Sequence, residues 1–562
     1  MLSGAMDAAP RRDGTPGFLS LETARPRLLL ALFCLVLWLP GLFTLPPGDR
    51  DESRFAQATK QMLETGDFVR IQNGTEARNR KPIGIYWLQA PFAAAAGALG
   101  IARANPIWPY RMPSVLGALL AVLATFELAA PLLGRQAALL GAGFLAASVV
   151  LSVETHIAKT DAALLGSIVV AMAVLARAYL RPATLRTPHA VLFWLALAAS
   201  ILLKGPIGPM VAGLTALTLS VADRRAAWLR PLRPAWGIPL MIAAVLPWFV
   251  AIGLATHGRF FADAIGGDLG RKLSSGDDAH WGPPGLHLLL LPVLALPATA
   301  AIPAALLAAC RDRTDPVTRF LLAWLIPSWL VFEAVPTKLP HYTLPLYPAL
   351  CLLAAAWLLR RDRRPIGAVG PILAVAVSLA LAAALGALPV ILHQPLSAGL
   401  PASVAACLIA ALFVPLFRRR GSARWQIERR ALFSALVCMP LLYWTALGWE
   451  LPRLTPLWLA PRVVAELPPG RLGAVGFAEP SLMFLTGTDT EFLTPAEGAA
   501  ALASGAVTTL LVGDRDLPAV LADARRDGPA PERIGIVRGF NYSRGRFVTL
   551  TLLAADQTHR PR

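Results

Sequence analysis

Charged residues are scarce in this chain. Of its 562 residues, 15% are Asp, Glu, Lys or Arg and 56% are hydrophobic, and the mean hydropathy is +0.57. Soluble domains carry about 25% charged residues, so this composition excludes an ordinary soluble protein and predicts an integral membrane protein. The charge that is present is mostly basic, with 52 Lys and Arg against 34 Asp and Glu. Because the arginines are spread between apolar segments, they indicate cytoplasmic loops rather than nucleic-acid binding.

Cysteine is also scarce, and its placement argues against two common kinds of site. The five cysteines lie in or beside apolar segments, without a C-x-x-C pair or a neighbouring histidine cluster. They are Cys34, Cys310, Cys351, Cys407 and Cys438. This pattern argues against a disulfide framework and a zinc site and favours packing as small hydrophobic side chains. No cofactor is predicted, and a requirement for a divalent metal stays open because no ligand cluster indicates one.

Long apolar runs dominate the chain. Fourteen of them approach the length of about 20 residues that a transmembrane helix requires. They are residues 28–46, 83–101, 113–133, 136–154, 160–180, 189–203, 205–222, 235–256, 285–309, 316–335, 342–360, 366–393, 400–418 and 431–449. The first run ends in a charged segment without a small-residue cleavage site, which favours an uncleaved span over a signal peptide.

The basic residues sort to one side of the membrane if residues 83–101 lie along its surface. That segment follows Lys81 and carries Tyr86, Trp87 and Gln89, as interfacial helices do. About thirteen spans then remain, and the arginine-rich loops around 135, 177–186, 224–233, 311–313, 360–364 and 418–430 fall on the side of the N-terminus. Positive charge marks the cytoplasmic side, so we predict an all-α polytopic membrane protein with a cytoplasmic N-terminus.

The loops on the opposite side carry the unusual polar residues. Asp51 and Asp161 supply two carboxylates, and Arg54, Lys81 and Lys204 supply cations. Cations beside a membrane suit a phosphate-bearing substrate whose tail stays in lipid, while a carboxylate faces the reacting carbon or the acceptor. A sugar linked to a lipid phosphate fits this description, because its anomeric carbon gains positive charge as the phosphate leaves.

Six short motifs, in order through about the first 360 residues, carry a resemblance to a known family. They are Asp51-Glu52, Arg80-Lys81-Pro82, Arg111-Met112-Pro113-Ser114, Lys159-Thr160-Asp161, Leu203-Lys204-Gly205-Pro206 and Thr337-Lys338-Leu339-Pro340-His341-Tyr342. With this topology, they resemble the polyprenyl-phosphate-sugar-dependent glycosyltransferases of the GT-C fold. The similarity is greatest to the lipid A 4-amino-4-deoxy-L-arabinose transferases (glycosyltransferase family 83) and extends to the protein O-mannosyltransferases (family 39).

The resemblance implies roles for individual residues. Asp51 stands at the position of the family's catalytic first-loop aspartate, and Asp161 is the second candidate catalytic carboxylate. Substrate-binding roles are predicted for Glu52, Arg54, Lys81, Tyr86, Lys204, Lys338, His341 and Tyr342. Arg80 stands where the enterobacterial lipid A enzymes have an acidic residue, so the donor sugar and the acceptor stay open. Whether Asp51 acts as a general base or as an electrostatic stabiliser depends on the acceptor and stays open too, because an anionic phosphate acceptor needs no base.

The pattern changes after Trp449. Short β-rich runs (472–477, 507–512, 533–537 and 546–553) alternate with helix-like stretches such as 518–526. We predict a disordered cytoplasmic tail at 1–24, a GT-C transmembrane catalytic domain at 25–449 and an extracytoplasmic α/β domain at 450–562. Within the catalytic domain, residues 47–112 form the first extracytoplasmic loop with juxtamembrane helices. No Gly-rich phosphate loop follows a strand after residue 449, so no nucleotide site is predicted there.

The predicted function is transfer of a sugar from a polyprenyl-phosphate carrier to an envelope acceptor on the periplasmic face of the bacterial inner membrane. The expected partners are the lipid-linked donor, a lipid A, glycan or protein acceptor and membrane lipids, but no nucleic acid. A protein O-mannosyltransferase-like enzyme is the nearest variant, and a lipid-linked sugar transporter or flippase is the alternative class. A transporter is expected to carry mid-membrane ionisable residues and internal repeats. Here Glu127 is the main charge within a span and no repeat is found, which favours the enzyme.

Overall fold

The structure is a computed structural model that describes most of the chain. The described residues are 25–101, 105–264, 266, 281–360, 364–417, 424–527 and 530–555. The tail predicted at residues 1–24 lies outside the described residues. All five cysteines are described, and each is unpaired.

The N-terminal half consists of helices joined by short loops. In chain order they are α1 (Pro26–Trp38), α2 (Asp51–Thr65), α3 (Gly84–Ala98), α4 (Trp108–Leu133), α5 (Arg135–Ala147), α6 (Val149–Thr155), α7 (Asp161–Leu180), α8 (Thr187–Lys204), α9 (Ile207–Ala222) and α10 (Pro234–Ala255). Two short strands, β1 (Gln72–Asn73) and β2 (Glu76–Ala77), form an antiparallel hairpin between α2 and α3.

Seven further helices complete the apolar part of the molecule. They are α11 (Leu286–Leu294), α12 (Ile302–Arg311), α13 (Pro316–Ala334), α14 (Tyr347–Leu359), α15 (Val369–Ile391), α16 (Leu400–Phe413) and α17 (Arg424–Tyr443). A 3-10 helix, Pro340–Leu346, leads into α14, and a π-helix, Trp444–Glu450, continues α17.

The apolar helices match the predicted spans. In the described part of the chain, nine helices are long and apolar enough to cross a membrane, and the α5–α6 pair, bent by 59°, makes a tenth if it is one span. Helices α1, α9 and α12 are shorter but apolar. Each of the thirteen segments predicted to span the membrane overlaps one of these helices, so the multi-pass helical fold is confirmed. Helix α3 is not among the candidate spans, and its position at the membrane surface stays a prediction.

Small residues allow α4 and α7 to cross closely. A Cβ atom on Gly117 would stand 2.4 Å from the Cα atom of Ala163, and one on Gly166 would stand 2.6 Å from the carbonyl oxygen of Gly117. Small side chains are the usual means by which membrane helices approach this closely. Because Ala163 follows Asp161 by two residues, the crossing fixes the start of α7, where Asp161 lies, relative to α4.

The C-terminal residues form a mixed five-stranded sheet flanked by helices. The strands are β3 (Leu472–Val475), β4 (Glu491–Phe492), β5 (Thr509–Gly513), β6 (Glu532–Asn541) and β7 (Arg546–Ala554), in the spatial order β4-β3-β5-β7-β6. Strands β4, β3 and β5 are parallel, and β7 is antiparallel to both β5 and β6. The flanking helices are α18 (Leu459–Glu466), α19 (Pro480–Thr486), α20 (Pro495–Ala503) and α21 (Leu517–Asp527).

The two central strands β3 and β5 are buried on both faces, whereas the edge strands β4 and β6 are partly exposed. On β5, Leu511 packs towards α18 and α19, whereas its neighbours Leu510 and Val512 pack towards α20 and α21. Alternate side chains of a strand point to opposite faces, so a strand covered on both sides carries consecutive apolar residues, as β5 does at positions 510–512. The small C-terminal α/β domain predicted from the sequence is confirmed, with β4 as an additional strand.

The close crossing of α4 and α7 leads to a prediction about stability. Gly117→Ala is expected to lower the free energy of unfolding by about 1–3 kcal/mol, because the added methyl group meets backbone atoms that cannot move aside. Gly213→Ala in α9 is the matched control, since nothing lies within 4 Å of the added atom. Thermal unfolding of the purified proteins in one detergent measures both. Equal midpoints for the two variants would contradict the prediction.

Candidate active site

A polar cavity lies where the predicted outer loops meet. It has a volume of about 140 Å³. Its lining residues come from α2, from the segments that precede α3 and α7, from the end of α8 and from the segment before α14. They are Asp51, Arg54, Phe55, Arg78, Arg80, Lys81, Lys159, Thr160, Asp161, Lys204, Thr337, Leu339, His341 and Tyr342. The cavity therefore brings together seven of the ten residues predicted from the sequence to form the site.

Asp51 is the first residue of α2 and the more accessible of the two predicted catalytic carboxylates. Its side chain is 59% exposed, and Arg78 Nη2 lies 3.8 Å from Asp51 Oδ1. At this distance the ion pair is loose. The carboxylate of Asp51 therefore remains available to a ligand.

Asp161, the first residue of α7, lies in a buried network of charges. The Lys204 ammonium donates a hydrogen bond to its Oδ1 atom, and His341 Nε2 is 3.6 Å from the same atom. Lys159 Nζ lies 3.9 Å from Asp161 Oδ2 and 3.0 Å from Glu154 Oε1. His341 Nδ1 is 3.5 Å from that Glu154 oxygen. The network surrounds Asp161 with cationic and polar partners, so it can orient Lys204.

The aromatic ring of Tyr342 completes the surroundings of Lys204. The Lys204 ammonium lies 5.0 Å from the centroid of the Tyr342 ring, within the range of a cation–π interaction. The His341 ring packs edge-on against Tyr342, with centroids 5.2 Å apart. These contacts restrict the Lys204 side chain at the cavity wall.

The opposite side of the cavity is rich in arginine. Arg78 lies over the ring of Phe55, 4.7 Å from its centroid. Burial and the positive charge of Arg78 lower the pKa of Arg54, and the charge of Arg80 adds to this effect, whereas the Asp51 carboxylate opposes it. The three guanidinium groups therefore repel one another, and an anion bound between them would relieve the repulsion.

Glu52 does not line the cavity. Its carboxylate accepts hydrogen bonds from Arg111 Nε at 2.8 Å and Nη2 at 3.0 Å, and both side chains are almost fully buried. The same carboxylate accepts the amide hydrogens of Ala158 at 2.9 Å and Gly48 at 2.7 Å. The structure therefore places Glu52 in an anchor that joins α2 to α4 and to the loop before α7.

Tyr86 and Lys338 also lie behind the cavity wall. Tyr86 is fully buried and packs on the cavity residue Phe55, with ring centroids 5.5 Å apart. Lys338 is 5% exposed, and its ammonium donates to the carbonyl oxygens of Gly282 at 3.1 Å and Val335 at 2.7 Å. Direct substrate binding was predicted for both residues, but these contacts place them in support of the wall.

Three cations of the cavity were not among the predicted site residues. Arg78 and Arg80 precede Lys81 in the first outer loop, and Lys159 precedes Asp161. The sequence signal for them is proximity to the motifs: Arg80 and Lys159 each begin one of the six motifs, and Arg78 lies two residues before Arg80. In the described residues no group of three His, Cys, Asp or Glu side chains is placed to hold a metal ion.

The chain is similar in sequence to known glycosyltransferases. The model of the family described as dolichyl-phosphate-mannose-protein mannosyltransferase matches residues 28–258. The undecaprenyl phosphate-alpha-4-amino-4-deoxy-L-arabinose arabinosyl transferase of Pectobacterium carotovorum is 28% identical over 395 residues, which cover 66% of each chain. The enzyme of the same name from Pseudomonas paraeruginosa is 27% identical over 446 residues, which cover 76% of each chain.

Solved structures show the same fold. The crystal structure of ArnT from Cupriavidus metallidurans bound to undecaprenyl phosphate matches with a TM-score of 0.76 at 20% identity, covering 96% of this chain and all of that one. The apo structure of that protein matches with a TM-score of 0.71, covering 95% and 99% of the two chains. These structures confirm the GT-C fold, and the family model and the named relatives confirm the resemblance and the glycosyltransferase class predicted from the sequence.

The anchoring role of Glu52 can be tested by removing its charge. Glu52→Gln leaves Arg111 buried without its counter-ion, so the free energy of unfolding should fall by about 3–5 kcal/mol. Glu76→Gln in the exposed hairpin strand β2 is the control and should leave the thermal unfolding midpoint unchanged. A Glu52→Gln variant with a wild-type thermal unfolding midpoint and impaired donor binding would contradict the anchoring role and support the predicted role of Glu52 in substrate binding.

Proposed function

We propose that this chain, a glycosyltransferase with the GT-C fold, moves a sugar from a polyprenyl-phosphate carrier to an envelope acceptor such as lipid A or a related glycolipid. The relatives of 27–28% identity are named for transfer of aminoarabinose from undecaprenyl phosphate, which supports a donor of this class. The reaction takes place on the periplasmic face of the bacterial inner membrane. The N-terminus is then cytoplasmic, and the domain at 450–562 is periplasmic.

The observation that carries this proposal is the excess of positive charge in the cavity. Six lysines and arginines line it, against the two carboxylates of Asp51 and Asp161. Lys204 and Lys159 are each held by a buried carboxylate. Arg54, Arg78 and Arg80 form the repelling group, which suits a phosphate with several acceptor oxygens. A lipid-linked phosphate can place its headgroup here while its tail remains in the bilayer.

The two predicted catalytic carboxylates have different surroundings, and we assign them different roles. Asp51 is exposed to the cavity and loosely paired, so it is the group that faces the reacting sugar. Asp161 is buried and hydrogen-bonded by Lys204, so it orients that lysine towards the phosphate. A paired, buried carboxylate has little free capacity to receive a proton or to stabilise a developing cation.

The proposed reaction exchanges one glycosidic bond for another. The bond between the anomeric carbon and the phosphate oxygen breaks, and its electron pair leaves with the phosphate, whose growing negative charge the arginines stabilise. An acceptor oxygen forms the new bond to the anomeric carbon. If the acceptor is a hydroxyl, Asp51 takes its proton; if the acceptor is a phosphate, Asp51 stabilises the positive charge on the sugar.

The role of Asp51 is tested by changing its charge alone. Asp51→Asn should reduce transfer from a radiolabelled polyprenyl-phosphate sugar by about 10²–10⁴-fold, because an amide neither accepts a proton nor balances positive charge. The control is Glu76→Gln, which removes a carboxylate from the same outer loop away from the cavity. Full transfer activity in the Asp51→Asn variant would show that the assignment is wrong.

The phosphate-binding role of the arginines predicts a different kinetic effect. Arg54→Gln and Arg80→Gln should each raise the KM for the donor about 10- to 100-fold, since a charged hydrogen bond contributes roughly 1.5–3 kcal/mol. Arg70→Gln is the matched control, because Arg70 lies in the same loop and does not line the cavity. Steady-state kinetics at varied donor concentration measures the effect. An unchanged KM in both cavity variants would contradict phosphate binding at this position.

A further inference from the structure

The segment that leads into Asp51 is held by the C-terminal domain. The Asp49 amide donates to the hydroxyl oxygen of Tyr542 at 2.5 Å, and the Asp49 carboxylate accepts a hydrogen bond from the Ser481 hydroxyl. The Arg50 guanidinium donates to the carbonyl oxygen of Ser543. Ser481 lies at the start of α19, and Tyr542 and Ser543 lie in the turn between β6 and β7. Two separate elements of the C-terminal domain, α19 and the β6–β7 turn, therefore form hydrogen bonds with the consecutive residues Asp49 and Arg50 of the first outer loop.

The backbone of Arg50 has a conformation that a non-glycine residue rarely adopts. Its φ is 63° and its ψ is −111°, directly before the first turn of α2. Such a conformation persists only when surrounding contacts determine it. The contacts of Asp49 and of the Arg50 side chain with the C-terminal domain lie on either side of the N–Cα bond of Arg50, the bond that has the positive φ. They are therefore placed to maintain this conformation.

On the far side of Asp51, α2 is held by a different anchor. Glu52 is bound to Arg111 and to the amide of Ala158. Asp51 thus stands between one anchor in the membrane domain and another in the C-terminal domain. A change of backbone conformation at Arg50 would rotate the first turn of α2 and redirect the Asp51 side chain.

We propose that Tyr542 and Ser481 are positioning residues for sugar transfer. Their hydroxyl groups hold Asp49, and with it the backbone of Arg50, so that the side chain of Asp51 points into the cavity. We call the contacts of Asp49 and Arg50 with Ser481, Tyr542 and Ser543 the latch. Tyr542 and Ser481 are positioning residues, since they act through the backbone before Asp51. The kinetic tests of this inference rest on the proposed function, because they measure sugar transfer. The hydrogen-exchange test does not depend on it.

The Asp49 carboxyl makes the latch sensitive to pH. Burial raises its pKa to about 7, and the nearby Glu479 carboxylate adds to the rise, while the hydroxyls of Ser481 and Tyr542 oppose it. The charged groups around it are Arg50 and Glu52 on its own loop, Glu479 beside α19 and Arg544 in the β6–β7 turn. Arg544 lies 3.9 Å from Glu479 and reduces the repulsion.

The sign of the pH effect follows from the raised pKa. A free aspartate has a pKa of about 3.9. Between about pH 4 and 7, formation of the latch contacts is therefore accompanied by uptake of a proton by the Asp49 carboxyl. The contribution of Asp49 to docking is fully present below about pH 4 and is lost as the pH rises through about 7. Asp49→Asn, which resembles the protonated acid, should abolish this dependence.

Kinetics of hydroxyl variants test the positioning role. Tyr542→Phe should lower kcat about 10- to 100-fold while the KM for the donor stays within twofold, because Asp51 is misdirected and the phosphate site is untouched. Ser543→Ala is the matched control: it retains the carbonyl oxygen that Arg50 uses, so its kcat should equal that of the wild type. Equal kcat values for the two variants would overturn the proposal.

A double-mutant cycle separates positioning from general destabilisation. Glycine adopts positive φ without strain, so Arg50→Gly should make the turn less dependent on the latch. Tyr542→Phe should then reduce kcat by less in the Arg50→Gly background than in the wild-type background. Additive effects of the two substitutions would mean that Tyr542 does not act through Arg50, which overturns the proposal.

Hydrogen exchange tests the latch without any assay of transfer. In the full-length protein, protection of the amides of residues 49–54 should fall at least about tenfold in Tyr542→Phe and remain unchanged in Ser543→Ala. In the wild type, after correction for intrinsic rates, it should also fall between pH 5 and 8, but not in Asp49→Asn. Unchanged protection in Tyr542→Phe overturns the latch. Reduced protection in a protein without transfer activity supports the latch and rejects the proposed function.

Discussion

The buried ion pair between Glu52 and Arg111 is the interaction on which the geometry of the cavity depends. Arg111 also donates to the carbonyl oxygens of residues 42, 45 and 46 after α1, and Glu52 accepts the amide of Ala158. One pair therefore joins the end of the first apolar helix, the start of α2, the start of α4 and the loop before α7. Because Asp51 adjoins Glu52 and Asp161 follows Ala158 closely, the pair sets the distance between the two sides of the cavity.

The charges around the cavity form two groups with different functions. Glu154, Lys159, Asp161, Lys204 and the ring of His341 lie within a few ångströms of one another in a buried network, in which each lysine contacts a carboxylate. Such pairing is what makes charge tolerable beside a bilayer. Arg54, Arg78 and Arg80 form a second group with excess positive charge. The buried group maintains the shape of the site, and the arginine group provides the attraction for an anionic substrate.

The sequence predicted the location of the site better than it predicted the orientation of individual side chains. Seven of the residues named from the outer loops line the cavity: Asp51, Arg54, Lys81, Asp161, Lys204, His341 and Tyr342. Glu52 and Lys338 belong to the same motifs, yet their charged groups bind Arg111 and backbone carbonyls instead. Arg78 lies outside the recognised motifs but reaches the cavity through its contact with Phe55. A motif identifies a segment, whereas the partner of each side chain depends on how helices distant in sequence pack.

By itself, the sequence determined the apolar helices, the placement of arginines between them and the strands of the C-terminal domain. These features follow from local composition and periodicity, which burial in lipid or in a sheet selects residue by residue. The tertiary structure alone decided which charges line the cavity, how Glu52 is used and where the C-terminal domain docks. Asp49 and Ser481 are 432 residues apart in the chain, and no local pattern encodes their contact. It arises only when the packed helices bring the first outer loop and the C-terminal sheet together.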